Sequence, residues 1–395
     1  MKALSILSQH FYPSHASTAQ LLTDLALGLA KEDFHIQIFT SSPQADAPAL
    51  ISSNLTLHRF PLPLLKSHSI LGKAFASLFF LLLGFVHVIR LPKTTPLIIA
   101  SNPPYAGLLG LCFKCFKGGQ YIFLFQDIFP ESAVLSGVLK PYSLLYKSFD
   151  RLMLLICHQA QRTIVLTPAM QAYMSSKNPT LKNQLRVIEN WSIEAISPLP
   201  KADNPFARQH GLDKVFTVLY SGNIGRLHDI ATIVEAINLL RCQPIQFVFI
   251  GDGPKQTILR DYLEKHQLSN LTLLPFQPRH KLPHTLTACD LSLVSLIPGA
   301  ETIVAPCKLY GMLAAGRPIL SISASGSYLD QLLTQHACGI NISSGDSQAL
   351  AHTIQMLASQ PERVVGMGQN ARQLYKERFQ LERAIKEYKK IICDL

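Results

Sequence analysis

Glycine and basic side chains follow strand-like runs in the second half of the sequence, where they could hold an anion. The run "FTVLYSG" leads directly into Asn223, Gly225 and Arg226, with Gly222 as its last residue. Glycine lets backbone N–H groups approach an anion, and arginine adds a full charge and a planar donor fork. One such turn is common in α/β proteins, so this loop alone is a weak indication of a site.

Two further loops repeat this chemistry. "FVFIGDGP" places Gly251 and Gly253 after a second strand-like run. "AETIVAPCKLYG" places Glu301, Pro306 and Lys308 just before a short helix. Each of these loops could be a plain turn. Three strand ends in one domain that are each followed by residues suited to binding an anion nevertheless predict a diphosphate site.

The composition excludes several classes of protein. The net charge of +11 fits either a solvated surface or an anionic partner, and basic runs interleaved with aromatic residues, typical of nucleic-acid binding, do not occur. Cys112 and Cys115 form a C-x-x-C without a second pair or a histidine cluster, so we predict no metal site. Scattered cysteines and the lack of a signal-like start predict a cytoplasmic protein.

Strand-like and helical segments alternate along the whole chain, which is typical of βαβ units on parallel sheets. We predict two tandem Rossmann-like, doubly wound α/β domains that face each other across a cleft. The predicted boundaries are 1–195 for the first domain, 196–213 for a linker, 214–372 for the second domain and 373–395 for a C-terminal helix. That helix could pack on the second domain or cross back to the first.

Residues 74–89, "AFASLFFLLLGFVHVI", form a long apolar segment with Lys73 before it and Arg90 after it. A spanning helix needs about 20 apolar residues, so a confident membrane span is not predicted. A buried core helix and a helix lying in the bilayer interface both remain open.

Several stretches resemble family 4 glycosyltransferases, the retaining, metal-independent sugar-nucleotide enzymes of GT-B fold. "YSGNIGRLHD", "FVFIGDGP" and "PCKLYGMLAAGRPIL" occur in the order and spacing of that family. "SNPPYAGLLG" and "FQDIFPESAVLSGVLK" resemble the branch that acts in exopolysaccharide, O-antigen and colanic-acid assembly. The family's E-x7-E pair is absent, because Ile303 and Gly311 occupy the two glutamate positions.

The resemblance implies roles for individual residues. Arg226 and Lys308 would neutralise the leaving diphosphate, and Glu301 would replace the first glutamate of the pair. The donor would be bound by residues of the three loops and the following helix, namely Gly222, Asn223, Gly225, Gly251, Gly253, Phe276, Pro306, Leu309 and Gly311. His10, Asp127 and Glu131 would lie on the acceptor side, although each could instead be a structural loop residue.

The predicted function is transfer of a sugar from a UDP- or GDP-sugar to a lipid-linked or polysaccharide acceptor. No cofactor or metal is expected, and the enzyme would lie peripherally on the inner face of the plasma membrane. Loops 44–56 and 275–282 would select the substrates. Two alternatives remain: a sugar-nucleotide 2-epimerase of the same fold, and a non-catalytic glycosyltransferase-like binding subunit.

Overall fold

The chain divides into two compact units. The computed structural model describes residues 2–14, 16–42, 53–60, 70–192 and 195–395, so most of loop 44–56 lies outside the described residues. The first unit comprises Met1–Asn190, Ile303–Ala305 and Leu381–Leu395, and the second comprises Trp191–Thr302 and Pro306–Gln380.

A seven-stranded parallel sheet forms the centre of the first unit. Its strands are β1 (Lys2–Leu7), β2 (Phe34–Thr40), β3 (Leu55–Arg59), β4 (Leu97–Ala100), β5 (Tyr121–Phe125), β6 (Arg162–Val165) and β7 (Leu185–Val187). They are arranged in the order β3-β2-β1-β4-β5-β6-β7. The edge strand β3 was not predicted, because its residues are only partly buried and its apolar run is short.

Helices cover both faces of this sheet. They are α1 (Ser17–Ala30), α2 (Ile70–Arg90), α3 (Leu108–Lys117), α4 (Glu131–Leu135), α5 (Leu144–Gln159) and α6 (Pro168–Lys177). Helix α1 joins β1 to β2, and this connection runs towards the β3 edge of the sheet. Helices α2, α3 and α5 join β3 to β4, β4 to β5 and β5 to β6, and these connections run towards the β7 edge. Because such crossovers are right-handed, α2, α3 and α5 lie together on the face opposite α1.

The second unit is built on a six-stranded parallel sheet. Its strands are β8 (Phe216–Ser221), β9 (Ile245–Ile250), β10 (Leu271–Leu274), β11 (Leu291–Ser295), β12 (Ile319–Ile322) and β13 (Gly339–Ile342), in the order β10-β9-β8-β11-β12-β13. All six were predicted from the sequence. The prediction of two doubly wound α/β domains is therefore confirmed.

Both faces of the second sheet are buried. Val218 and Tyr220 of β8 pack into one core cluster, while Leu219 between them packs into the other. The helices that cover the sheet are α7 (Pro205–Gln209), α8 (Ala231–Leu239), α9 (Gln256–His266), α10 (Leu282–Thr287), α11 (Lys308–Ala314), α12 (Tyr328–Gln335), α13 (Ser347–Ala358) and α14 (Pro361–Arg378). Alternate side chains of a strand point to opposite faces, which explains why its apolar run is nearly continuous.

The segment predicted as a linker, 196–213, is packed onto the second unit. Ile196, Phe206 and Leu212 are buried in one of its core clusters. The side chain of Asn204 accepts hydrogen bonds from the N–H groups of Phe206 and Ala207, which caps α7.

The C-terminal segment forms two helices where one was predicted. Helix α14 ends at Arg378, and after Phe379 the chain forms a second helix, α15 (Leu381–Cys393). Phe379 is buried, with its ring 5.1 Å from that of Tyr310. Helix α15 belongs to the first unit, where Ile385 packs so closely on Gly28 of α1 that a Cβ there would lie 2.1 Å from Ile385 Cδ1.

The apolar segment 74–89 lies within α2. Among the residues that the structure describes, no helix is both long enough and apolar enough to cross a membrane.

Candidate active site

The topology of the second sheet marks the place for a ligand. Strands β8 and β11 are neighbours in the sheet. From β8 the chain continues to β9 on one side, and from β11 it continues to β12 on the other side, so the strand order reverses between them. Open α/β sheets bind ligands at the carboxyl ends of the strands beside such a switch point. The loops at these ends are the ones that carry Gly222–His228 and Glu301–Lys308.

Two of the predicted glycine loops are in direct contact. The N–H of Gly222 donates to the carbonyl oxygen of Ile250 (2.8 Å), and that of Ile224 donates to the carbonyl oxygen of Asp252 (2.9 Å). A Cβ at Gly251 would lie 2.2 Å from the carbonyl oxygen of Gly222, and one at Gly253 would lie 2.5 Å from that of Ile224. Only glycine permits this approach of two backbones, so the loop glycines form one surface.

Lys308 joins the third loop to the first. Its Nζ donates to the hydroxyl of Tyr220 (2.5 Å) and to the carbonyl oxygen of Asn223 (3.2 Å), and it lies 4.0 Å from the centre of the Tyr220 ring. Both hydrogen-bond partners are neutral. Desolvation lowers the pKa of Lys308 to about 7, because these neutral groups compensate a buried charge less well than water does.

His228 organises the first loop from within. Its Nδ1 accepts a hydrogen bond from the N–H of Gly225 (3.0 Å) and lies 2.7 Å from the hydroxyl of Tyr220. Burial, with the nearby charges of Lys308 and Lys255, lowers the pKa of His228 to about 2, so the ring is neutral. Since Nδ1 is an acceptor, the neutral ring carries its proton on Nε2.

The remaining predicted donor residues occupy different environments. Arg226 is exposed on the first loop. Phe276, which is 57% exposed, lies against Gly251, whose Cβ would be 3.4 Å from its ring. Pro306 is buried at the start of the turn into α11, where its carbonyl oxygen accepts from the N–H of Leu309 (3.0 Å). The side chain of Leu309 is fully buried, so it lies in the interior and not on the loop surface.

Gly311 faces an apolar region. A Cβ built there would lie 3.0 Å from Leu286 Cδ1 and 3.8 Å from Ile196 Cδ1. Gly311 was predicted to be one of the donor-binding residues. In the structure, a side chain at position 311 would point towards the side chains of Leu286 and Ile196.

Glu301 contacts a different loop. It is 6% exposed, and its Oε1 accepts a hydrogen bond from the N–H of Ala324 (2.9 Å) in the turn that follows β12. Its Oε2 is buried and has no hydrogen-bond partner among the described residues. The hydrogen bond to Ala324 ties Glu301 to the turn between β12 and α12, and Oε2 has the capacity to accept another donor.

Two of the predicted acceptor-side residues follow strands of the first unit. His10 follows β1 and is half-buried, and this burial lowers its pKa. Asp127 follows β5, is exposed, and forms an antiparallel bridge with Val304. The neighbouring N–H of Ile128 donates to the carbonyl oxygen of Ile303 (2.8 Å), the residue at the position where the resemblance expects the first glutamate.

Glu131, the third residue predicted on the acceptor side, is engaged in a polar cluster. It forms an ion pair with Lys177, which also pairs with Asp150. The hydroxyls of Tyr173 (2.9 Å) and Tyr146 (3.3 Å) donate to the same carboxylate oxygen. These contacts hold α4, α5 and α6 together, which favours the structural alternative for this residue.

The sequence did not single out Tyr220 as a site residue, and it gave His228 no role of its own. The Nζ of Lys255 donates to the carbonyl oxygen of His228 (2.6 Å), and this hydrogen bond also stabilises the first loop. A tyrosine two residues before Gly222 and a histidine inside the loop were visible signals, but neither indicates a function without the contacts. In the described part of the chain, no three His, Cys, Asp or Glu side chains are placed to hold a metal ion.

Part of the chain matches a family model, and two known proteins are similar to it in sequence. Residues 203–374 match the family model for glycosyl transferases group 1. The chain is 26% identical over 358 residues to the probable glycosyltransferase WbjE of Pseudomonas aeruginosa. This alignment covers 90% of this chain and 89% of WbjE. Over 115 residues it is 33% identical to the putative colanic acid biosynthesis glycosyl transferase WcaI of Escherichia coli K12, covering 29% and 28% of the two chains.

The fold is also similar to that of solved structures. HepE of Anabaena in complex with UDP-glucose superposes with a TM-score of 0.77 at 15% identity, and the match covers all of both chains. This likeness confirms the predicted fold class.

Proposed function

We propose the following substrates and mechanism for this glycosyltransferase, whose residues 203–374 match the family model for glycosyl transferases group 1. The enzyme moves a sugar from a UDP- or GDP-sugar to a lipid-linked or polysaccharide acceptor in cell-surface polysaccharide synthesis. The transfer retains the anomeric configuration and needs no metal. The observation that carries this proposal is the position of Lys308 over the glycine loops, with two neutral partners.

The donor's diphosphate lies on the surface formed by Gly222, Gly251 and Gly253. There the cations Lys308 and Arg226 face its charge. The leaving diphosphate gains negative charge as the bond to the sugar breaks, so these cations stabilise the transition state more than the ground state. A UDP-sugar is the first donor to test, since HepE of the same fold was solved with UDP-glucose.

The sugar of the donor extends towards Glu301. The unpartnered Oε2 of this residue accepts a hydrogen bond from a sugar hydroxyl, while Oε1 keeps the N–H of Ala324. His10 and Asp127 of the first unit orient the acceptor hydroxyl. The similarity to WcaI, a putative colanic acid biosynthesis glycosyl transferase, supports a surface polysaccharide as the product, and peripheral membrane contact brings the enzyme to a lipid-linked acceptor.

The test is calorimetric titration with UDP, GDP, UDP-glucose and GDP-mannose, in the presence of a metal chelator. At least one nucleotide is expected to bind to the wild type and to bind much more weakly to Lys308→Met. Lys265→Gln, which removes an exposed cation of α9, is expected to bind as the wild type does.

Three results contradict the proposal in different ways. Binding of none of the nucleotides favours the non-catalytic subunit. A sugar nucleotide that is converted to its C2 epimer without an acceptor identifies the 2-epimerase. Binding that needs a divalent metal overturns the metal-independent mechanism.

A further inference from the structure

Helix α2 exposes a stripe of large apolar side chains. The stripe runs along one side of the helix and consists of Phe75 (62% exposed), Leu78 (53%), Leu82 (58%), Val86 (45%) and Ile89 (36%). Their spacing of three or four residues places them on a single line along the helix surface. The opposite side of α2 is buried, with Phe80 and Val88 fully inaccessible.

The two neighbouring helices extend this surface. Helix α3 packs on both α2 and α5. It exposes Phe116, whose ring lies 6.0 Å from that of Phe85 on α2. Helix α5 exposes Leu144, Leu145 and Leu155. We call this surface the α2–α3–α5 face.

Apolar exposure is concentrated in this part of the molecule. Of the fourteen exposed large apolar residues in the described chain, eleven lie between Phe75 and Leu155. Soluble proteins rarely leave a contiguous apolar surface of this kind open unless it binds something.

The charges around the face identify its partner. The sequence from 75 to 155 contains seven Lys or Arg and three Asp or Glu. Two of the three acids, Glu131 and Asp150, are ion-paired with Lys177 inside the unit. Exposed cations, among them Arg90, Lys93 and Lys147, therefore border an apolar surface. A second copy of the chain would bring like charges together, whereas anionic lipid headgroups complement them.

We propose that the α2–α3–α5 face docks this enzyme on an anionic lipid bilayer, with α2 lying in the plane of the interface. The exposed apolar side chains enter the boundary between headgroups and acyl chains, and the bordering cations contact the headgroups. This inference specifies the membrane contact of the proposed function and rests on it.

The experiment is vesicle flotation of the full chain with phosphatidylcholine vesicles, with and without phosphatidylglycerol. We expect binding only to the anionic vesicles, and weaker binding as the salt concentration rises. In the triple variant Leu78→Gln, Leu82→Gln and Val86→Gln, the lipid concentration for half-maximal binding should rise about tenfold or more. These side chains are exposed, so the variant retains its core. The matched control is Leu239→Gln with Val365→Gln, two exposed apolar residues of the second unit, which should bind vesicles as the wild type does.

The inference is overturned if the wild type does not float with anionic vesicles, or if the triple variant floats as well as the control. A wild type that is dimeric by light scattering and becomes monomeric in the triple variant would overturn it in favour of a second copy as the partner. Nucleotide binding without vesicles separates this inference from the proposed function. A wild type that binds vesicles but no nucleotide refutes only the function, and the converse refutes only the docking face.

Discussion

The ammonium group of Lys308 lies 2.5 Å from the hydroxyl oxygen of Tyr220 and 4.0 Å from the centre of the same ring. The two residues are 88 positions apart in the chain, so this contact joins α11 to the end of β8. It places a cation at the switch point of the second sheet with neutral groups as its hydrogen-bond partners. A diphosphate bound there would attract this cation far more strongly than either neutral partner does.

Replacing Lys308 by methionine should lower the rate of donor turnover. The loss of one preorganised donor to a developing charge costs roughly 10²- to 10³-fold in turnover. The measurement is the steady-state release of nucleoside diphosphate, with circular dichroism as a check on folding. Lys265→Gln serves as the control. Turnover within a few-fold of the wild type in Lys308→Met would remove this residue from the mechanism.

Donor affinity should depend on pH because of the same residue. The pKa of Lys308 in the free protein is about 7, and an anionic diphosphate favours its protonated form. Below this pH the cation is already formed. Above it, binding must take up a proton, so affinity should fall by up to about tenfold per pH unit.

Calorimetry at pH 8 in buffers of different ionisation enthalpy measures that proton uptake directly. Lys308→Arg is the matched variant, since a guanidinium group stays protonated throughout this range. Its affinity should be nearly independent of pH near neutrality. An equal pH dependence in the two proteins would assign the titration to another group.

The sequence predicted the strand-end loops of this site better than their internal contacts. Alternating apolar segments identified all six strands of the second sheet, and parallel strands bring their carboxyl ends to one edge. Gly222, Gly251 and Lys308 could be placed near one another on that basis. The roles of Tyr220 and His228 could not, because they depend on hydrogen-bond geometry within the first loop and on the contact of Tyr220 with the distant Lys308.

Side-chain direction was the other aspect that the sequence did not reveal. Gly311 and Glu301 both lie near the predicted site along the chain, but one faces Leu286 and the other contacts Ala324. Which way a residue points in a loop or at the start of a short helix depends on the local backbone. A motif of one-letter codes does not contain that information.

Glu301→Gln should separate sugar recognition from nucleotide recognition. The amide can still accept from the N–H of Ala324, but its second group becomes a donor, which opposes a sugar hydroxyl that donates to Oε2. Affinity for the sugar nucleotide should fall about tenfold, since a hydrogen bond to a charged group contributes roughly 1.5–3 kcal/mol. Affinity for the nucleoside diphosphate alone should be unchanged. Equal losses for both ligands would show that Glu301 acts only by holding the loop after β12.

Glu131→Gln should act mainly on stability. Lys177 would keep Asp150 as its ion-pair partner but lose the second carboxylate, and we expect about 1–3 kcal/mol of destabilisation in urea unfolding. Glu382→Gln removes an exposed carboxylate of α15 and should change stability by less than about 0.5 kcal/mol. Unchanged stability with a large fall in turnover would instead restore the predicted role of Glu131 at the acceptor.

Gly251→Ala should disrupt the contact between the two glycine loops. A Cβ at this position would lie 2.2 Å from the carbonyl oxygen of Gly222, and the backbone φ of 140° is one that residues with a side chain rarely adopt. The obstacle is backbone, so the loops must move apart, at a cost of about 1–3 kcal/mol for the strained conformation alone. Nucleotide affinity should fall together with stability, because the same movement displaces the first loop, whose Asn223 carbonyl oxygen accepts a hydrogen bond from Lys308. Gly366→Ala is the matched control. It lies in α14 with nothing within 4 Å of its Cβ position, and there alanine should raise stability by about 0.5–1 kcal/mol. Thermal unfolding and calorimetric titration of both variants test this pair of opposite outcomes. Normal nucleotide binding by Gly251→Ala would show that the diphosphate does not depend on the contact between these loops.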